Sequence, residues 1–334
     1  MDAAARERLF GVSHAFDNPV TTSVTIAVVG ALVVVPMIIW LLARLGRVGD
    51  AHRKELFTRF YSWLVITPLI LVPILAGAAW TILGIGVLSL FCYREYARAT
   101  GLFREKAISL MIVLGILLQT FTAFDNWYHF FVALTPLTIG AIMSVAILRD
   151  EPEGYIQRVA LGVLGFALFG TCFGHLAHFA NDANYRPYLL LIFLSVELND
   201  VFAYVSGKTL GRRKLAPKTS PNKTLGGALG ALVLTTLLVV GVGHYVFRGT
   251  AMDSASHLVV MGIIVSTVGQ MGDLMLSSIK RDLGVKDMGV TIPGHGGLLD
   301  RFDSIILVAP AMYHYINYFE GIGNGQAMHI LTGG

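Results

Sequence analysis

Between residues 273 and 303 the chain concentrates side chains that could do chemistry. Asp273, Ser277 and Lys280 are spaced i, i+4, i+7, which puts an acid, a hydroxyl and an amine on one helical stripe. Arg281 and Lys286 follow, then the turn Pro293-Gly294-His295-Gly296-Gly297, then Asp300-Arg301-Phe302-Asp303. Mg²⁺ takes a few carboxylates and completes its shell with water and phosphate oxygens. Asp273, Asp300 and Asp303 are therefore the expected ligands of Mg²⁺, with a second metal ion compatible with the same set. Glycines let a backbone approach a ligand closely, and successive free N–H groups bind anions. With Lys280, Arg281, Lys286 and Arg301 beside it, the turn at His295, Gly296 and Gly297 reads as a phosphate cradle. The competing explanation for Asp300 and Asp303 is stabilisation by a helix N-terminal dipole.

Upstream, Glu197 and Asp200 lie three apart inside an apolar run and share a helix face. A carboxylate at membrane depth is costly unless paired or metal-bound. Lys208 opens a basic cluster through Lys214, and Ser220-Pro221-Asn222-Lys223-Thr224 follows. Hydroxyls and helix-start amides near Thr224 suit phosphate oxygens; the competing explanation is a positively charged topological anchor. Glu95, beside Arg94 and Arg98, reads as a helix-end ion pair. His175 and His178 share a face without an acid partner and read as structural. Trp127, Tyr128 and His129 fit an interfacial belt. Cys92 and Cys172 lie in apolar runs as small buried hydrophobes.

The elements that position these residues follow from composition. Of 334 residues, 55% are hydrophobic and 14% charged. A soluble domain could not hide that much apolar surface. The apolar runs have the length that crosses a bilayer core as a helix. The expectation is an all-α polytopic integral membrane protein of ten spans: 22–43, 61–77, 79–94, 107–124, 129–147, 159–179, 187–206, 224–246, 257–279 and 303–319. The second and third meet at a bend near Gly77. Of the 25 Lys and Arg residues, 21 fall in alternate connections and four (Arg6, Arg8, Arg186, Arg248) in the others. Positive loops stay cytosolic, so both termini are expected outside and the basic loops inside. The net charge of +4 is then mostly topology and calls for no nucleic acid. The polar first twenty residues show no cleavable leader pattern. Residues 1–190 read as a scaffold of transmembrane helices, 191–320 as the catalytic region and 321–334 as a short tail.

Residues 277–303 resemble the signature of the phosphatidate cytidylyltransferase family. Ser277, Lys280-Arg281, Lys286-Asp287, Gly289, Pro293, His295-Gly296-Gly297, Asp300-Arg301 and Asp303 all stand at its spacing. The resemblance extends upstream through Asp200, Ala203-Tyr204, Gly207-Lys208, Gly211, Ser220-Pro221, Lys223-Thr224 and Gly227. Asn222, Leu225 and Gly226 depart from the residues frequent there, and the long first span is additional. The resemblance implies transfer of CMP from CTP to phosphatidic acid, giving CDP-diacylglycerol and pyrophosphate. It also implies a homodimer among lipids of a bacterial inner membrane, with the site facing the cytosol. The catalytic set is then Asp273, Lys280, Arg281, Asp300, Arg301 and Asp303. The substrate contacts are Asp200, Lys208, Ser220, Lys223, Thr224, Ser277, Lys286, Asp287, His295, Gly296 and Gly297. A lipid phosphate is already ionised, so no strong general base is needed, and charge neutralisation and in-line positioning dominate. The rival of a different class is an ion-coupled carrier of an anionic substrate, which would be expected to show inverted repeats. A transferase that uses CDP-lipids is the enzyme rival, and its Asp-Gly-x-x-Ala-Arg pattern is not found.

Overall fold

The computed structural model describes residues 3–47, 49–292 and 296–333. A short outer helix α1 (Ala3–Phe10) precedes α2 (Pro19–Arg44), α3 (Asp50–Ala76), α4 (Ala78–Thr100), α5 (Lys106–Phe124) and α6 (Tyr128–Ile147). Next comes one rod made of α7 (Tyr155–Gly165), a π-helical stretch (Phe166–Cys172) and α8 (Phe173–His178). Helices α9 (Tyr185–Leu210), α10 (Leu225–Val246), α11 (Ala255–Asp282) and α12 (Asp303–Glu320) complete the bundle. Every expected span falls on a helix of this series. Among the described residues, eight helices are long and apolar enough to cross a membrane. Helices α4 and α12 are not among them: α4 carries Arg94 and Glu95, and α12 carries three tyrosines, His314 and Asn317 besides Asp303 and Glu320.

The connection expected at 207–223 is more ordered than a loop. Helix α9 runs on to Leu210, and β1 (Lys214–Ala216) pairs antiparallel with β2 (Ser220–Thr224), with Lys214 opposite Thr224. The fold is thus helical with one small ribbon, placed at the end where the site residues gather. Thr224 ends the ribbon and caps α10, its Oγ1 accepting from Gly227 N at 3.1 Å. That cap satisfies an orphan amide of the first turn.

Small residues bring α9 to α12 close together. A Cβ on Gly227 would lie 2.6 Å from the Ala203 carbonyl oxygen, and one on Gly272 would lie 2.6 Å from that of Asp303. Such stripes let backbones approach inside a membrane. The glycines near Thr224 therefore serve helix packing. At the same depth Asn199 Oδ1 accepts from Thr235 Oγ1 at 3.0 Å and from Ser266 Oγ at 2.7 Å. This polar clamp ties α9, α10 and α11 together and fixes the register on which the acids below depend.

Gly77 separates α3 from α4 with φ 138°, and a Cβ there would meet the Leu9 carbonyl oxygen at 2.4 Å. The bend expected at this residue is present, and α1 rests against it. Gly77→Ala is expected to destabilise the bundle by about 1–3 kcal/mol through backbone strain. Thermal unfolding in detergent would check this, and an unchanged midpoint would show that the α1 contact yields.

Candidate active site

On α11 the expected stripe forms. Ser277 Oγ donates to Asp273 Oδ1 at 3.1 Å, and Lys280 lies one turn further on the same face, buried. The Lys223 ammonium, delivered by β2, contacts Asp273 Oδ2. Asp200 on α9 feels the charges of Asp273, Lys223 and Arg301. Asp303, at the start of α12, feels Asp273, Asp200, Lys280 and Arg301. Three helices thus bring Asp200, Asp273 and Asp303 into one electrostatic neighbourhood. The Asp200 side chain is exposed. Glu197, one turn before it, couples to Asp200 and Arg301. Arg301 Nε is buried without a partner among the described residues.

Asp300 sits differently from the expected metal ligand. Its Oδ1 accepts from Lys280 Nζ at 2.8 Å, and its Oδ2 accepts from Met288 N and Gly297 N, each at 2.9 Å. Both oxygens are engaged in holding the segment between α11 and α12. Lys280 is correspondingly committed to Asp300, and both side chains are buried. Asp300 and Lys280 form a latch that shapes the turn.

A second latch comes from the region read as scaffold. Glu95 on α4 accepts from Thr291 Oγ1 at 2.5 Å, Leu298 N at 3.0 Å and Leu299 N at 2.8 Å. It is 5% exposed and forms no ion pair with Arg94 or Arg98 among the described residues, so the helix-end pair is corrected. The physical reason is that three donors from one segment satisfy a buried carboxylate better than exposed arginines. Gly289 and Gly297 are small because Glu95 is threaded between them: a Cβ would stand 2.7 Å and 2.4 Å from its oxygens. Gly296, with φ 80°, bridges back to Ile292. His295 lies outside the described residues.

The remaining expected residues spread over the rim. Arg281 Nε donates to the Thr219 carbonyl at 3.2 Å, joining α11 to the ribbon. Lys208 is exposed and lies 4.4 Å over the Tyr204 ring. Lys286 and Asp287 are exposed, and Ser220 is half-buried. His175 and His178 are buried against Phe131, and Tyr128 stacks inward on Tyr313 instead of forming a belt.

Among the described residues, no three acid, His or Cys side chains already converge as a complete metal cage. Asp200, Asp273 and Asp303 are the acids whose charges act on one another, and Lys223 contacts Asp273. Oxygen ligands with room for water and phosphate are what Mg²⁺ takes. Asp300 does not fit that role, its lone pairs being spent on three donors.

Fold and site together define an integral membrane protein with a cluster of acids at which Lys223 contacts Asp273 and Lys280 pairs with Asp300. The sequence model of the family described as "Cytidylyltransferase family" matches residues 57–319. The chain is 30% identical over 281 residues to a protein of Escherichia coli K12 named "Uncharacterized protein YnbB", covering 82% of this chain and 91% of that one. It is 33% identical over 231 residues to the phosphatidate cytidylyltransferase of Bacillus subtilis, covering 64% and 81%. It is 42% identical over 171 residues to that of Staphylococcus aureus strain COL, covering 51% and 64%. The chain belongs to the cytidylyltransferase family. Nothing in these comparisons favours a carrier.

Proposed function

We propose that the protein transfers CMP from CTP to phosphatidate, giving CDP-diacylglycerol and pyrophosphate. The observation that carries this reading is the meeting of Asp200, Asp273 and Asp303 beside Lys223 and Arg301. In this reaction a phosphate oxygen of the lipid bonds to the α-phosphorus of CTP, the α–β bridging bond breaks, and pyrophosphate leaves. A bound Mg²⁺ held by the three aspartates would neutralise the leaving group. Arg301, with a guanidinium edge unpartnered, suits bidentate grip of a phosphate. Lys223 offers a second cation, and Lys208, Arg281 and Lys286 surround the mouth as a field for the polyanion. Asp300 and Glu95 fix the segment that contains Gly297 through its amide and those of Leu298 and Leu299, so these amides hold the fold and are not free for phosphate.

The reading includes a bacterial inner membrane location, the site on the cytosolic side, both termini outside, ten crossings and a homodimer. Its support is the charge asymmetry of the connections and the family's bacterial members. The proposed division at residue 190 carries one amendment, since Glu95 from the scaffold side holds the segment before α12. Purified protein in mixed micelles with CTP and phosphatidate is expected to form CDP-diacylglycerol. Chelation should abolish turnover, and added Mg²⁺ should restore it. Full activity in chelator would remove the metal role. Transfer from another nucleotide, or to an acceptor other than phosphatidate, would redirect the assignment.

A further inference from the structure

A cavity of about 430 Å³ runs between α2, α3 and α9. Val28, Leu32 and Val35 line it from α2, Phe60 and Trp63 from α3, and Leu194 from α9. Its charged lining residues are Arg59 and Glu197, with Thr67 on α3 as a neutral polar group. Arg59 stands toward the end of α3 that carries a basic connection, and Glu197 stands at the middle of α9. Glu197 lies one helical turn before Asp200, so one end of the cavity lining stands a turn away from that acid. The volume falls within the range of ligand sites, roughly 300–1,000 Å³. Helix α2 and the first turns of α3 lie outside residues 57–319 that the family model matches. The outer wall of this cavity is therefore an addition to the shared framework.

The geometry points to this groove as the seat of one acyl chain of the lipid substrate, with α2 as the wall that selects chain length. This rests on the phosphatidate reading above. An acyl chain is the occupant that matches an apolar channel lying along membrane-spanning helices, with a cation at one end. Arg59 has Glu55 as its ion partner at 2.7 Å, and both side chains are more than half exposed. Such a surface pair is worth little, so the guanidinium can turn to an anionic headgroup. The lipid would enter with its chain between α2 and α3 and its phosphate toward Asp200 and Arg301. A second cavity of about 370 Å³, between α3 and α4, shares Phe193 with the first and reaches Leu298 and Phe302.

Leu32→Trp and Val28→Trp would fill the groove. Each is expected to lower the preference for dioleoyl over dihexanoyl phosphatidate, read as a ratio of kcat/KM, by about tenfold. An unaltered ratio in both variants would overturn the proposal. A readout on the unmodified protein guards against misfolded variants. A phosphatidate with a photoactivatable acyl chain is cross-linked and the adducts are mapped by mass spectrometry. Adducts on α2 and the facing side of α3 that dioleoyl phosphatidate displaces, and dioleoyl phosphatidylcholine does not, support the assignment. Adducts that both lipids displace equally would mean ordinary bilayer lipid in the groove and would overturn it. Absence of any turnover with CTP and phosphatidate in the unmodified protein would instead remove the proposed reaction, and the competition would still decide the groove.

Discussion

Asp303→Asn is expected to lower kcat by about 10²–10⁴-fold while leaving the thermal midpoint where it is. An ion stabilising the leaving group contributes several kcal/mol, and each 1.36 kcal/mol is a factor of ten. The substitution keeps an oxygen for the one strong bond the carboxylate makes, from Ser304 N at 2.8 Å. It also removes one of three mutually repelling charges, so folding has no reason to suffer. Asp300→Asn should behave differently. An amide nitrogen would face donors already aimed at the carboxylate, and Lys280 would keep its charge in a buried place without a counter-ion. Breaking a buried pair in this way costs about 3–5 kcal/mol. Activity and stability should therefore fall together in Asp300→Asn and separate in Asp303→Asn. Thermal unfolding in detergent, read beside CTP turnover, makes the comparison. Near-normal turnover in Asp303→Asn would reject the acid cluster as the reacting centre, and equal midpoints would reject the latch.

Glu95→Gln is expected to reduce turnover by about 10²-fold although Glu95 lies outside the signature stretch. The side chain holds Thr291, Leu298 and Leu299 on two oxygens. Glutamine retains one acceptor and turns an NH₂ toward donors. Each buried group left unsatisfied costs about 1–3 kcal/mol. The turn would relax outward, and a misplacement of about 1 Å at a reacting centre can cost 10²-fold. Glu95→Asp, too short to reach between Gly289 and Gly297, should not rescue. Hydrogen exchange at Leu298 and Leu299 gives the independent readout, since faster exchange without global unfolding is the mark of a released latch. Protection equal to the unmodified protein would show that the turn holds itself.

Much of this was legible in the residues because membrane helices announce themselves by apolar length. The i, i+4, i+7 stripe on α11 and the pairing of Glu197 with Asp200 are properties of one helix, and one-dimensional spacing captures them. The neighbourhood of Asp200, Asp273 and Asp303 needs three helices, and no spacing encodes it. Asp300 and Asp303 looked equivalent because they are three apart beside the same helix start. They differ because a short 3₁₀ turn, Leu299–Arg301, aims Asp300 into the connecting segment while Asp303 begins α12. Glu95 was misread for a similar reason: its partners are some two hundred residues away, whereas Arg94 and Arg98 are its visible neighbours. The signal available was a pair of glycines, Gly289 and Gly297, with no side chain at the points where a distant carboxylate arrives. The ribbon at 214–224 was missed because a strand of three residues leaves no periodicity to read.

Two long helices that are not apolar enough over a membrane-spanning length, α4 and α12, supply Glu95 and Asp303. Insertion machinery sorts each segment by its partition into lipid, and charged residues weigh against entry. In the proposed ten-crossing arrangement these two would be carried into the bilayer by their chain neighbours, α3 across the tight bend at Gly77 and α11. Synthesis reaches Asp303 after Asp200 and Asp273, so on the proposed assignment the nascent chain would be catalytically silent until α12 docks. An insertion defect would then surface as a lost activity before it surfaces as a lost fold.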